Sequence, residues 1–212
     1  MKKNSPLILL ALVPLLVIMS CTTPSNENGE QEVVEKIEGT PYSNDAVGWS
    51  VTVPDGWEVM SKNQLDENMK NGQDLIAESS TINLDYEGLT HLINFQKDPY
   101  NQFLSSMEPF DLDYEGEWEE NNKLVYDFLY ETFQYQGVPC DTSSRTTQID
   151  GLLFHVFSIT LYTPDGLVLM YEDMYGRYIN GYDFSIIITY NNTDDKVLLE
   201  RVIRQSKFTL RD

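Results

Sequence analysis

The sequence predicts an α+β domain, an antiparallel β-sheet of successive hairpins flanked by helices. Three observations predict it. Between residues 144 and 190, four long strand-like runs are separated by Asp-Gly or Asn-Gly pairs. Residues 118–135 repeat apolar side chains at helical spacing, and a second helical pattern follows the last strand-like run. Residues 41–212 are enough for one domain with a core of its own and too few for two.

Taken in order, Trp49-Ser50-Val51-Thr52-Val53 alternates apolar and polar side chains as a half-buried strand does, and Pro54-Asp55-Gly56 ends it as a turn. Trp57 and Val59 lead to Ser61, which stands three residues before Gln64 as a capping box should. A helix follows, with Leu65 and Met69 one turn apart and an expected close near Gly72. Leu89 to Phe95 reads as a strand with Leu89, His91, Ile93 and Phe95 on one side. The aromatics of residues 118–135 favour a strand, but Leu124/Val125, Phe128/Leu129 and Phe133 recur at four-residue spacing, which makes the segment an amphipathic helix stopped by Gly137.

Ser144–Ile149, Leu152–Tyr162, Leu167–Tyr178 and Asp183–Tyr190 are then strands, joined through Asp150-Gly151, Asp165-Gly166 and Asn180-Gly181. Thr193 caps a last helix whose first turn carries Asp194 and Asp195, with Leu198, Leu199, Val202 and Ile203 along one face. Arg201, Arg204 and Lys207 fall near its end, where cations suit the helix dipole. Lys207 to Leu210 closes the chain as a short strand.

Three stretches in this order resemble a known fold: Gly48 to Trp57 with its Pro-Asp-Gly turn, Ile149-Asp150-Gly151-Leu152-Leu153-Phe154, and Gly181-Tyr182 followed by a strand, the terminal helix and Ser206-Lys207-Phe208. The pattern is similar to the PsbP-like (Mog1/PsbP/DUF1795-like) sandwich, small bacterial lipoproteins of that type included. The resemblance implies an antiparallel sheet flanked by helices. Better-known members are interaction proteins, one type working at photosystem II and another binding a small GTPase. No binding motif of either type is matched here, and fold by itself does not carry function.

Ahead of the domain, Lys2 and Lys3 precede an apolar run from Leu7 to Met19 broken by Pro14. That is a secretory signal pattern, and it is shorter than the roughly 20 residues a membrane-spanning helix needs. Ile18-Met19-Ser20-Cys21 resembles the lipobox of bacterial lipoproteins, with Met19 where a smaller residue is usual. The resemblance implies cleavage after residue 20 and diacylglycerol on the Cys21 thiol. Each buried CH₂ contributes about 0.8 kcal/mol, so several chains make a stable anchor. Residues 22–40 are polar and acidic, the composition of a disordered tether, whose nineteen residues span on the order of 24 Å. The expected location is a bacterial cell envelope, on a membrane.

The chain carries 14 basic and 34 acidic residues; loss of residues 1–20 removes Lys2 and Lys3 and no acid, leaving 12 against 34, a formal charge of −22. Such charge opposes nucleic-acid backbones and anionic lipid, so nucleic acid is excluded as a partner. With Cys21 in a thioether, Cys140 has no disulfide partner, and after Val138-Pro139 it reads as a small buried side chain before it reads as a nucleophile.

Two groups of residues are candidate sites. Asp111, Asp113 and Glu115 occupy the first, third and fifth places of a calcium-loop pattern and Gly116 the sixth, with Glu117 a further carboxylate in the same run. Asn122 stands where the pattern needs a bidentate Glu, so an acidic loop feeding a helix N-terminus accounts for the same residues. Tyr171, Asp173, Tyr175 and Arg177 share one strand face; exposed, this mixture suits recognition of protein or sugar, and covered by helices it is core. His91 and His155 alternate with apolar neighbours as satisfied sheet residues do, no zinc ligand set accompanies them, and there is no Gly-x-Ser-x-Gly elbow.

The sequence thus implies no cofactor. The expected function is a non-catalytic protein-binding or scaffold module on a lipid anchor. The alternatives are a small-ligand or calcium-binding module, and a hydrolase whose site is assembled from distant residues.

Overall fold

Trp49, Val51 and Val53 are buried while Ser50 and Thr52 stay partly exposed, and this alternation becomes a strand in the computed structural model, which describes residues 36–79 and 88–209. Cys21 and the expected signal segment lie outside the described residues, as does Leu210. The elements run β1 (Gly39–Asn44), β2 (Trp49–Pro54), β3 (Glu58–Val59), α1 (Lys62–Ser79), β4 (Thr90–His91), β5 (Phe95–Asp98), β6 (Asn101–Pro109) and α2 (Glu117–Tyr135). They continue as β7 (Cys140–Ile149), β8 (Leu152–Tyr162), β9 (Val168–Ile179), β10 (Tyr182–Tyr190), α3 (Thr193–Gln205) and β11 (Lys207–Phe208).

The strands form two antiparallel sheets. The large one has the order β3-β5-β6-β10-β9-β8-β7, with β4 also paired to β6, and the small one has the order β1-β2-β11. Two turns set the register of the large sheet. Asp150-Gly151 and Asn180-Gly181 place both central residues at positive φ (49° and 80°, 52° and 85°), the backbone of a type I′ hairpin whose twist matches its strands. The β8–β9 connection is wider than the expected two-residue turn: Thr163 N–H donates to the Leu167 carbonyl at 2.8 Å and the Thr163 hydroxyl accepts from Leu167 N–H at 3.1 Å.

Both faces of the large sheet are covered. On one, Phe103, Phe154, Val156, Phe184, Ile186 and Ile188 meet the small sheet through Trp49, Val51 and Val53, and meet α3 through Leu199, Val202 and Ile203. Trp49 lies parallel to Phe103 at 6.2 Å, and Phe103 stacks on Phe95 at 4.5 Å. On the opposite face, Val125, Leu129 and Phe133 of α2 pack against Leu104, Phe157, Ile159, Met174 and Ile187. Among the described residues no helix is long and apolar enough to cross a membrane.

Several boundaries differ from expectation. The fold begins before Pro41: Ile37 is buried, its N–H donates to Gln205 Oε1 at 3.1 Å, and β1 starts at Gly39. The Ser61–Gln64 capping box forms, with Ser61 N–H donating to Gln64 Oε1 at 2.7 Å, but α1 runs past Gly72 to Ser79. A single interior glycine costs about 1 kcal/mol against alanine and does not end a helix alone. The expected strand Leu89–Phe95 is split into β4 and β5. Between them Asn94 Oδ1 accepts the Ser105 N–H at 2.5 Å and Ser105 Oγ donates to the Ile93 carbonyl at 2.6 Å, so side chains replace ladder bonds. Asn192, not Thr193, caps α3, accepting the Asp195 N–H at 2.9 Å. The last strand, β11, pairs with β2 and not with the large sheet.

At Gly48, φ is +64° and a Cβ would fall 2.0 Å from the Thr209 carbonyl oxygen, while the Thr209 N–H donates to the Gly48 carbonyl at 2.7 Å. Gly48→Ala is therefore expected to lose about 1–3 kcal/mol through the dihedral alone. It should also unseat β11, which urea denaturation and amide exchange at Phe208 and Thr209 will read.

Candidate functional site

Residues from four strands converge on Asp173. Its register partners are Ser158 on β8 and Ile188 on β10, so the carboxylate sits in mid-sheet and is 4% exposed. Ser158 Oγ donates to Asp173 Oδ1, and Tyr190 OH donates to Oδ2 at 3.1 Å. Arg145 on β7 donates to Ser158 Oγ at 2.5 Å and lies 3.5 Å from Asp173 Oδ1. Its guanidinium also stands 5.9 Å above the Tyr175 ring. Burial first, and the Asp173 charge second, push the Tyr175 and Tyr190 phenols upward, so both remain neutral donors.

The four residues expected to share a recognition face are divided by this arrangement. Asp173 and Tyr175 are core. Arg177 turns aside to donate to the Leu153 carbonyl at 2.5 Å and to stand over Phe154. Tyr171 alone among them counts as exposed, at 36%, stacked on Tyr190 at 5.2 Å, with the Lys196 ammonium 5.5 Å from the Tyr190 ring. Leu167 and Val168, just before it on the chain, are 65% and 44% exposed. Together the three make an apolar tip at the end of the β8–β9 hairpin.

The opposite sheet face carries a second polar cluster. Register aligns His91, Ser106, Ser185, Gly176 and His155 across β4, β6, β10, β9 and β8. Trp118, Asn122 and Tyr126 of α2 close over its middle: a Cβ on Gly176 would lie 3.4 Å from both Asn122 Oδ1 and the Trp118 ring. The described residues leave a void of about 10 Å³ there, room for one water at most. Ser106 Oγ and Ser185 Oγ bond each other at 2.9 Å rather than a histidine. His91 is held below its ordinary pKa by burial, with Asp66 opposing, and its Nε2 is buried without a partner. The two histidines thus stand at opposite ends of the row, and no nucleophile–base pair is assembled from them.

Beside this row lies Asp183, opposite Glu108 on β6 and 2% exposed. Burial pushes its carboxyl up to about 7, with Glu108 adding to the effect. Trp118 Nε1 and Asn122 favour the ionised form from nearby without reaching full hydrogen-bond geometry. Glu172, also buried, is pushed up to about 8 by burial and the neighbouring Asp173.

The acidic segment serves the helix that follows it. Gly116 at φ 91° is the N-cap of α2, and Glu117, Glu119 and Glu120 occupy its first turn, where carboxylates suit the dipole. Glu117 Oε2 accepts the Asp113 N–H at 2.5 Å and Glu120 Oε2 accepts Tyr114 OH at 2.8 Å. Asp111, Asp113, Glu115 and Glu117 are not brought into a ligand cage, and no group of three or more His, Cys, Asp or Glu among the described residues is placed to hold a metal ion. Cys140 is half-buried, accepts from Gln134 Nε2 at 3.7 Å, and burial raises its thiol pKa, which is the reverse of what a nucleophile needs.

No family model matches the chain, and no curated protein matches it. Among solved structures, the chain is similar to cyanobacterial PsbP (CyanoP) from Synechocystis sp. PCC 6803 at a TM-score of 0.53 and 11% identity, covering 85% of this chain and 98% of that one. The fold is PsbP-like. At that identity the likeness speaks for the fold alone.

Two outcomes are expected from the buried acids. Asp183 binds its proton more tightly folded than unfolded, so its contribution to stability is present below about pH 4 and is lost as pH rises through about 7. Asp183→Asn should remove that slope and raise the melting temperature at pH 8, read by calorimetry across pH 4–8. Asp173→Ala leaves Tyr190 OH and Ser158 Oγ without their acceptor and should cost about 1–3 kcal/mol in urea denaturation.

Proposed function

We propose that this protein is a non-catalytic protein-binding module, tethered to a membrane of a bacterial envelope by lipid on Cys21. The observation that carries the proposal is the apolar tip, where Leu167 and Val168 stand exposed at the β8–β9 turn and Tyr171, three residues further along β9, is exposed as well. Exposed apolar side chains at one end of a hairpin offer an interaction site, and a stacked tyrosine loses little side-chain entropy on binding. By contrast, Ser106, Ser185, His91 and Asp183 are spent on packing two layers together, which speaks against the hydrolase reading. Glu117 lies in the first turn of α2, and among the described residues no three carboxylates are grouped to hold a metal ion, which leaves the calcium reading without support. A tether ahead of Ile37 gives the tip reach to a partner close to the membrane, and the net negative charge favours a basic protein over nucleic acid.

The test is expression of the full chain in a bacterial host, with mass spectrometry of the mature N-terminus and affinity capture from native envelope. Diacylglycerol on Cys21 is expected, together with a partner whose recovery falls about tenfold with Leu167→Asp or Tyr171→Ala at unchanged melting temperature. An unmodified Cys21 would remove the anchor from the proposal. Equal capture by all three proteins would remove the tip.

A further inference from the structure

An asparagine followed by glycine is open to attack by its own backbone, because a residue without a side chain lets its nitrogen approach the amide carbon. The sequence holds three such pairs, Asn28-Gly29, Asn71-Gly72 and Asn180-Gly181. The first lies outside the described residues, and the fold treats the other two differently. Asn71 and Gly72 stand in the interior of α1, where the helical ladder takes up the glycine N–H and fixes the backbone around it. Asn180 is exposed, at the first central position of the β9–β10 turn, with φ 52°. Tyr182 pairs with Ile179 across that turn, which leaves the Gly181 N–H outside the ladder. The Asn180 side chain is held by a single bond, from Nδ2 to the Ala46 carbonyl at 3.3 Å, longer than the usual range of about 2.7–3.2 Å. A Cβ on Gly181 would meet nothing within 4 Å, so this turn adjusts without displacing a neighbour. The matching turn at Asp150-Gly151 is clamped instead: Lys207 Nζ and the Phe208 N–H each donate to the Asp150 carboxylate at 2.8 Å. A carboxylate carbon is also a poorer electrophile than an amide carbon.

We propose that Asn180 is a site of spontaneous deamidation in the folded protein. Hydroxide takes the proton of the Gly181 N–H, and the nitrogen forms a bond to Asn180 Cγ. The Cγ–Nδ2 bond then breaks, and the side-chain amide leaves as ammonia after taking a proton from water. A five-membered imide remains. Water opens it at one carbonyl or the other, leaving aspartate or isoaspartate at position 180. The sum is one water consumed and one ammonia released, with no change of oxidation state.

Either product removes the donor to the Ala46 carbonyl and sets a negative charge against that oxygen. The lost bond is one that joins the β9–β10 turn of the large sheet to the loop between β1 and β2 of the small one, beside the fully buried Val47. Isoaspartate also routes the main chain through Cβ. That adds a carbon to a two-residue turn whose geometry sets the register of its strands. Asn180 lies at the far end of β9 from Leu167 and Val168, so the chemistry proceeds whether or not the tip binds a protein or Cys21 carries lipid.

The experiment incubates the full chain in detergent at mildly alkaline pH, folded and in urea, and follows each Asn-Gly pair by peptide mapping with mass spectrometry. In the folded protein Asn180 is expected to convert about tenfold faster than Asn71, which must wait for α1 to open locally. In urea the two rates should agree within about threefold, since little local structure then separates them. Lowering the pH by one unit should slow Asn180 about tenfold, in step with hydroxide. Protein aged until Asn180 has converted should melt about 4 °C below fresh protein. Asn180→Gln, whose side chain would have to close a larger ring, should age without that loss. A folded Asn180 that converts no faster than Asn71 overturns the site. An equal fall in melting temperature for aged Asn180→Gln overturns the consequence drawn for the fold.

Discussion

The fold depends on how one face of the large sheet is closed. Trp49 is the contact that closes it: the side chain projects from β2 of the small sheet and lies on Phe103 of β6 and Phe184 of β10, at 6.2 and 5.1 Å. Phe208 of β11 adds a second aromatic contact from the small sheet, on Phe154 and Phe184 at 5.4 and 5.9 Å, with Val51 and Val53 filling in around the two rings. The stack extends through Phe95, so β2, β6, β5 and β10 share one aromatic column. α3 then fits where the small sheet leaves off, and β11, returning to β2, ties the chain's last described residues to the same layer.

Covering both faces of a sheet this wide asks for more apolar surface than the chain supplies. Several positions on β6, β8, β9 and β10 are polar, and they are settled by partners on neighbouring strands or turns. Ser106 meets Ser185, Ser158 and Tyr190 meet Asp173, and Asn101 meets Asp98 and Asn191. Where pairing fails, protonation substitutes, as the raised carboxyls of Asp183 and Glu172 indicate. The groups that look most like chemistry in this protein are thus the ones that allow its layers to meet.

The strong periodic signals in the sequence correspond to elements that bury apolar groups on one side. α2, β8, β9 and β10 lie within a residue or two of their expected positions, and the Ser61–Gln64 cap and both type I′ turns form as their residue types require. β6 had no visible signal. Asn101, Gln102, Ser105, Ser106 and Glu108 interrupt any apolar alternation, because a polar side chain satisfied by a specific partner is indistinguishable in sequence from one satisfied by water. The small sheet was hidden for a related reason: β2 pairs with β11 across more than a hundred and fifty residues, a contact that local patterning does not record. At the candidate site, the type of residue on β9 was legible and its burial was not. Asp173 is covered through Arg145, Ser158 and Tyr190, which come from three other strands. Tyr171 stacks on Tyr190 and keeps part of its surface open.

The bond from Ile37 to Gln205 has a mechanical consequence. Any load that enters the domain from its N-terminal side arrives at the open end of the β1–β2 hairpin, where Gly39 faces Pro54. Pulled from there, the pair peels apart one rung at a time, the weakest way to load a ladder. Ile37, buried and tied to the end of α3, lies ahead of that first rung. It acts as a strain relief, passing tension into a helix packed on the core before the hairpin feels it.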